Sequence, residues 1–243
     1  MINKDFKIKY INEPYPIWVI DNFLNEKSLK RILKEWPDSS SGKWHSGHDY
    51  IDDEKNILEQ GMISLDTTDT TKYISEVIEY IHSDTFTKQI SDITKINDLI
   101  IDYSKRWSGL RVMKSGSFQA IHSDARINPE TGFRKELTCL IYFNEDWKET
   151  DEGYFEAWGD DMDQCIHKIE PLNNRLVIFL NSDTSYHGVP KVNSERKSIT
   201  WSLLKDGESE NRSKALFVSR PQDNKKIGEL GRKRAYIKDA RRQ

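Results

Sequence analysis

The chain is poor in the residues that would place it outside a compact, reduced, soluble class. It has 243 residues and two cysteines, Cys139 and Cys165. Two thiols cannot make a disulfide framework, so the expectation is a cytoplasmic protein in a reducing compartment, held together by its core. No apolar run approaches the ~20 residues that span a bilayer. The opening Met1-Ile2-Asn3-Lys4-Asp5-Phe6-Lys7 has no apolar signal core, so no membrane association is expected. An excess of one charge is also missing. Thirty-seven Lys and Arg are set against 40 Asp and Glu, interspersed, for a net charge of −3. That balance gives no support to a nucleic-acid partner. Seven prolines and 12 glycines are too few for a low-complexity chain. Aromatics are plentiful: seven Trp, ten Tyr and nine Phe can build a sizeable core.

The front of the chain reads as supporting structure. Tyr15–Ile20 is a short strand. Asn25 offers an N-cap, and Leu29, Ile32, Leu33 and Trp36 follow as one apolar helical stripe that Pro37 stops. A second helix carries Ile74, Val77, Ile78 and Ile81 at the same spacing. From about residue 99 the pattern becomes short β segments: Leu110–Ile121, Leu137–Phe143, Tyr154–Trp158, Cys165–Ile169, Arg175–Leu180 and Lys197–Leu204. Turn signals such as Asn128-Pro129 and Asp151-Glu152-Gly153 separate them. The expected class is mainly β with supporting helices (α+β). Its core is a double-stranded β-helix, a jelly roll of the cupin kind. Residues 1–98 form the support region, 99–205 the core, and 206–243 a polar connection followed by a basic helix over 223–243. These parts make one integrated domain.

Four residues stand out: His122, Asp124, His187 and Arg196. His-x-Asp by itself is weak, because His82-Ser83-Asp84 is a second copy. Position separates the two. His82 closes a helical stripe, where residues i and i+2 face apart. His122 ends a β segment, where i and i+2 share a face, so His122 and Asp124 can address one ion. Two imidazoles and a carboxylate suit a non-haem Fe(II) centre that keeps coordination positions open. Nine residues after His187 comes Arg196; nine after His167 comes Leu176, which can neutralise nothing.

The strand of Arg196 adds a second argument. Arg196, Ser198, Thr200 and Ser202 alternate with Lys197, Ile199, Trp201 and Leu203. With Ile199, Trp201 and Leu203 packed on the helices, the Arg/Ser/Thr face would line a barrel interior. Such an interior is costly unless a bound group, such as a dicarboxylate, satisfies it. Thr138, Leu140, Tyr142 and Asn144 share a face in the same way, and Tyr142 could donate to the anion that Arg196 holds.

Leu137-Thr138-Cys139-Leu140-Ile141-Tyr142-Phe143-Asn144-Glu145-Asp146-Trp147 resembles the strand and turn after the His-x-Asp motif in prolyl hydroxylases. Arg175–Phe179, then His187-Gly188-Val189-Pro190, Arg196 and Trp201, resemble their closing strands. The similarity covers roughly residues 105–205. It implies an Fe(II)/2-oxoglutarate-dependent dioxygenase of prolyl 4-hydroxylase type. Such an enzyme couples oxidative decarboxylation of 2-oxoglutarate, to succinate and CO2, with hydroxylation of a substrate. The implied iron ligands are His122, Asp124 and His187. The implied 2-oxoglutarate residues are Arg196 and Tyr142, with Ser198 beside them. O2 is the co-substrate, and ascorbate an accompanying reductant. One departure is that Glu152-Gly153 stands where the family has Gly-Gly. Another is that Met113 and Lys114 replace a tyrosine neighbourhood.

The substrate by resemblance is a peptide or protein proline, with a free amino acid, sugar or other small metabolite as the alternative. Arg126 and Arg134 in the loop after Asp124, and His45 and His48 in an earlier polar loop, are substrate-side candidates. The two arginines would favour an anionic substrate. Two rivals keep the constellation but not the chemistry. One is a jelly-roll module that binds metal or oxo acid without turnover. The other is a zinc hydrolase, for which no motif places a general base. The sequence carries no signal of oligomeric state.

Overall fold

The computed structural model describes residues 1–46, 50–51, 57–207, 214–218, 220 and 234–238. Among these described residues, fifteen strands follow in chain order. β1 (Lys7–Ile11), β2 (Ile17–Asp21), β3 (His45–Ser46), β4 (Tyr50–Ile51), β5 (Ile57–Leu65) and β6 (Ile100–Ile101) precede the core. β7 (Gly109–Ser123), β8 (Arg134–Tyr142), β9 (Phe155–Trp158), β10 (Cys165–Ile169), β11 (Leu176–Leu180), β12 (His187–Val189) and β13 (Arg196–Lys205) form it. β14 (Lys214–Val218) and β15 (Arg234–Lys238) follow. Three helices, α1 (Glu26–Glu35), α2 (Lys72–Ile81) and α3 (Asp84–Thr94), lie in the first half.

The strands join into one curled antiparallel sheet, in the order β1-β2-β11-β8-β13-β7-β12-β9-β10. This is the half-barrel of a jelly roll, as the strand pattern predicts. Every anticipated core segment appears within three residues of its expected bounds, the largest shift being the start of β8 at Arg134 rather than Leu137.

The helices form for the reasons their sequences give. The Asn25 side chain caps α1 by accepting from the Ser28 N–H at 2.9 Å. Ile32 of α1 and Ile74, Val77, Ile78 and Ile81 of α2 pack on one cluster with Ile199, Trp201 and Leu203 of β13. That packing orients β13. Its apolar face meets the helices, so alternation turns Arg196, Ser198, Thr200 and Ser202 into the half-barrel. α3 lies outside the sequence expectation, although Ser83 caps it at the Phe86 N–H and Phe86 and Ile90 bury the same kind of face.

The C-terminal part differs from expectation. The basic helix expected over 223–243 is, among the described residues, strand β15, which pairs with β14. β14 in turn pairs with β7 at Leu216↔Ser123, Phe217↔His122 and Val218↔Ile121. The core therefore extends past residue 205. The Lys/Arg-rich composition favours a solvated surface equally in either structure. β14 completes an edge of β7, and β15 adds as a strand to the outer edge of β14.

Candidate metal and 2-oxoglutarate site

His122 lies near the end of β7 and His187 begins β12, and the two are directly paired across the strands. Asp124 follows β7 by one residue. One ligand atom from each of the three lies within 4.8 Å of the others. The His122 Nδ1 faces the Ala120 carbonyl at 3.0 Å, and the His187 Nδ1 faces that of Ser185 at 2.9 Å. Each ring thus keeps its proton on Nδ1 and turns its Nε2 lone pair inward. These Nε2 atoms stand 3.8 and 4.0 Å from Asp124 Oδ1. Aromatic rings fix both imidazoles. Phe217 stacks on His122 with centroids 4.8 Å apart and planes 13° apart. Phe155 stacks on His187 at 5.6 Å and 20°.

The second Asp124 oxygen is already committed. Oδ2 accepts from Lys135 Nζ at 3.0 Å and from the Thr138 hydroxyl at 3.2 Å. The Asn181 amide nitrogen donates to it at 3.3 Å when the Asn181 oxygen accepts from the Thr138 N–H. Burial alone would push the Asp124 carboxyl up. The Lys135 ammonium, with the His187 and His122 rings, outweighs it and holds the group well below the usual carboxylate range. Burial keeps His187 below its ordinary value, hence neutral. Two inward-facing imidazole nitrogens and one carboxylate oxygen on one side, with the other side open to a cavity, fit a divalent iron.

That cavity, of about 100 Å³, is lined by all three residues and by Arg196 and Ser198. Arg196 is buried. Its Nε donates to the Gly153 carbonyl at 2.9 Å and its Nη2 to the Tyr142 hydroxyl at 3.2 Å. No carboxylate of the described residues pairs with it. Burial lowers its pKa, and Tyr142 partly restores it. Tyr142 does not line the cavity itself; it stands behind Arg196. Gly153 is required there, since a Cβ would meet Val192 Cγ1 at 2.7 Å and Arg196 Cδ at 3.4 Å. Met113 places its sulfur 3.7 Å from Arg196 Nη1.

With this geometry the sequence comparison is decisive. Residues 108–202 match the 2OG-Fe(II) oxygenase superfamily. This stretch is a 2OG-Fe(II) oxygenase domain. The protein is thus a 2-oxoglutarate-dependent dioxygenase, with Fe(II), 2-oxoglutarate and O2 as its cofactors and co-substrates. No curated protein matches the chain in sequence. Among solved structures, a prolyl 4-hydroxylase from Pseudomonas putida is 18% identical with a TM-score of 0.57; the match covers 79% of this chain and 93% of that one. A prolyl hydroxylase from Trichoplax adhaerens, in complex with a hypoxia inducible factor oxygen degradation domain peptide fragment, is 18% identical at TM-score 0.56, covering 78% and 83%. A prolyl 4-hydroxylase from Phytophthora capsici is 23% identical at TM-score 0.52, covering 81% of this chain and 60% of that one. These likenesses are likenesses of fold.

The oxygenase brings together fewer residues than the sequence nominates. Arg126 donates to the Asn181 carbonyl and Arg134 to Glu136, and neither lines the cavity. His45 is exposed on β3, 4.0 Å from Asp66. His48 lies outside the described residues. The decoy His82 caps α2, with Nδ1 2.8 Å from the Ile78 carbonyl and Nε2 2.9 Å from the Ser108 hydroxyl. Sequence reasoning missed Lys135, Asn181, Phe217 and the cavity residues Trp107 and Arg111. Thr138 was legible, because it shares the strand face of Tyr142.

Proposed function

We propose that this dioxygenase hydroxylates a C–H bond of a prolyl substrate, with His122, Asp124 and His187 as the iron ligands and Arg196 as the anchor of 2-oxoglutarate. The observation that carries the reading is the buried Arg196 cation, which faces the metal cavity without an acidic partner among the described residues. A buried cation of this kind calls for a bound anion. 2-Oxoglutarate would be held at one carboxylate by Arg196, which would leave its oxo-acid end for the metal held by His122, Asp124 and His187. When bound, Fe(II) with 2-oxoglutarate and O2 supplies the oxidant for C–H hydroxylation, with release of succinate and CO2. The chain's own residues do the rest. Gly153 and Tyr142 fix the guanidinium, Ser198 offers a hydroxyl beside it, and Lys135, Thr138 and Asn181 leave Asp124 a single free oxygen.

The prolyl substrate rests on likeness to the Pseudomonas and Trichoplax structures, the second of which holds a peptide. We also propose cytoplasmic residence, supported by Cys139 and Cys165 both being free thiols. Incubation with Fe(II), 2-oxoglutarate and O2 should release succinate even without substrate. Arg196→Ala should raise the KM for 2-oxoglutarate about 100-fold, from loss of a charge-assisted bidentate contact. His187→Ala should abolish turnover. Undiminished turnover in His187→Ala would overturn the ligand assignment, and restoration by Zn(II) in place of Fe(II) would favour a hydrolase.

A further inference from the structure

We propose that the buried Arg220–Glu156 ion pair is a positioning device for the two histidine ligands, setting β7 against β12 in the register on which metal affinity depends. The inference goes beyond the reading above and rests on its assignment of His122 and His187 to the metal.

His122 and His187 are cross-strand partners, but the pairing does not continue evenly. His187 faces His122 and Val189 faces Gln119, so three steps along β7 match two along β12. A bulge of this kind leaves an extra residue unpaired, and the ladder alone does not fix what lies across it. Gly188 sits at the irregularity. A Cβ there would meet the Gln119 carbonyl at 3.1 Å, the Ala120 carbonyl at 3.2 Å and Arg220 Nη2 at 2.9 Å. Only glycine leaves room for a guanidinium this close to β12. Arg220 Nη2 donates to the Gln119 carbonyl at 2.6 Å. The next carbonyl along, that of Ala120, faces His122 Nδ1 at 3.0 Å. Arg220 therefore holds β7 one residue before the carbonyl that orients the His122 ring.

The same guanidinium holds the strand beside the other histidine. Its Nε and Nη2 donate to Glu156 Oε2 at 3.0 and 2.9 Å. Glu156 pairs with Gly188 between β9 and β12, and its neighbour Ala157 pairs with His187. Glu156 Oε2 also accepts from the Trp158 indole at 3.2 Å. Phe155, the residue before Glu156, is the ring on His187, and Phe217, three residues before Arg220, is the ring on His122. One ion pair thus ties together the segments that carry both rings.

Cohesion does not require it. Ile121, Trp158, Leu216 and Val218 already pack β7, β9 and β14 into one apolar cluster. Arg220 and Glu156 are each 3% exposed. An ion pair so buried gains little net stability over apolar side chains of similar volume, because desolvation offsets the attraction. What a forked, charge-assisted contact adds is defined geometry, and here that geometry belongs to the backbones of the two ligands.

The test uses the full chain and reads Mn(II) affinity by calorimetry, the ligand-field spectrum of the Co(II) form, and thermal unfolding without metal. Arg220→Met combined with Glu156→Gln removes both charges at similar volume and keeps an acceptor for the Trp158 indole. This double variant is expected to unfold near the wild-type temperature. It should nevertheless bind Mn(II) about tenfold more weakly, as when a supporting contact of a metal ligand is lost, and show an altered Co(II) spectrum. Ile90→Ala opens the helix-side core without lining the cavity, so it should unfold earlier and keep both metal readouts. Wild-type affinity and spectrum in a folded double variant overturn the proposal, as does an equal loss of affinity in Ile90→Ala. Should the double variant not fold, Arg220→Lys decides, since it keeps the cation and loses the fork. Weakened affinity with an altered spectrum then supports the proposal, and unchanged affinity overturns it. His187→Ala is the control on the ligand assignment. If it binds Mn(II) as the wild type does, that assignment fails; if it does not, wild-type affinity in the Arg220 variants counts against the positioning role alone.

Discussion

Asp124 has two oxygens, and only one of them faces the imidazoles. Lys135, Thr138 and Asn181 occupy the other, so ligand geometry here is set by donors outside the metal's reach. Lys135→Met should keep the side-chain volume and lose the cation. Mn(II) affinity should fall between ~10- and 100-fold, the usual effect of removing such a supporting donor, and a metal titration checks it. Lys135 was illegible in the sequence for a specific reason. With Thr138, Leu140 and Tyr142 facing inward, strict alternation turns Glu136 inward and Lys135 out. The pairing skips a residue, Leu203↔Leu137 followed by Leu204↔Lys135, and this bulge reverses the two. Glu152 is a second local departure. It takes a φ of 57° and ψ of −136°, backbone that favours glycine. Glu152→Gly should raise stability by about 1 kcal/mol in denaturant unfolding. Gly153→Ala, by contrast, should press its Cβ on Val192 and Trp147 at a positive φ and lower stability in the same unfolding measurement.

Among elements, β14 was the least legible. Residues 214–218 carry too few alternations to separate strand from polar connection, and the edge they complete belongs to β7, far away in sequence. Yet Phe217 is 2% exposed and stacks on the His122 ring. Phe217→Ala should cost roughly 3 kcal/mol in unfolding free energy, as for other buried Phe truncations. It should also weaken Mn(II) binding, whereas Phe217→Tyr should retain it. The helices were legible because capping and a 3.6-residue stripe are local signals. α2 adds a pH effect through His82. Burial holds its pKa below the ordinary value, against the Ile78 carbonyl contact. As pH falls below about 6.5 the unfolded chain therefore takes up this proton before the folded one, and stability drops until the folded-state pKa is passed. His82→Gln should flatten that part of the curve, measurable as urea midpoints between about pH 7 and pH 5.

For the whole molecule, class and site were legible because they rest on long-period patterns. β13 shows one apolar and one polar face, and only a closed sheet gives the polar face a purpose. The contents of the cavity beyond Arg196 were not legible, since Trp107, Arg111 and Lys135 converge from β8, β7 and the turn before it only after the sheet curls. Metal binds the assembled sheet alone, so chelation should lower thermal stability. Mn(II) at 100 times its Kd should add about 2.7 kcal/mol, a Tm rise of roughly 5–10 °C for a chain of this size, read by a thermal scan with and without EDTA.

The stacking of Phe217 on His122 also fixes an order of events during synthesis. Chains emerge N-terminus first, so His122, Asp124 and His187 all leave the ribosome before the ring that steadies the first of them. A nascent chain can hold the three ligands without holding them still. A chain truncated before residue 214 is then expected to capture Mn(II) poorly while still carrying His122, Asp124 and His187.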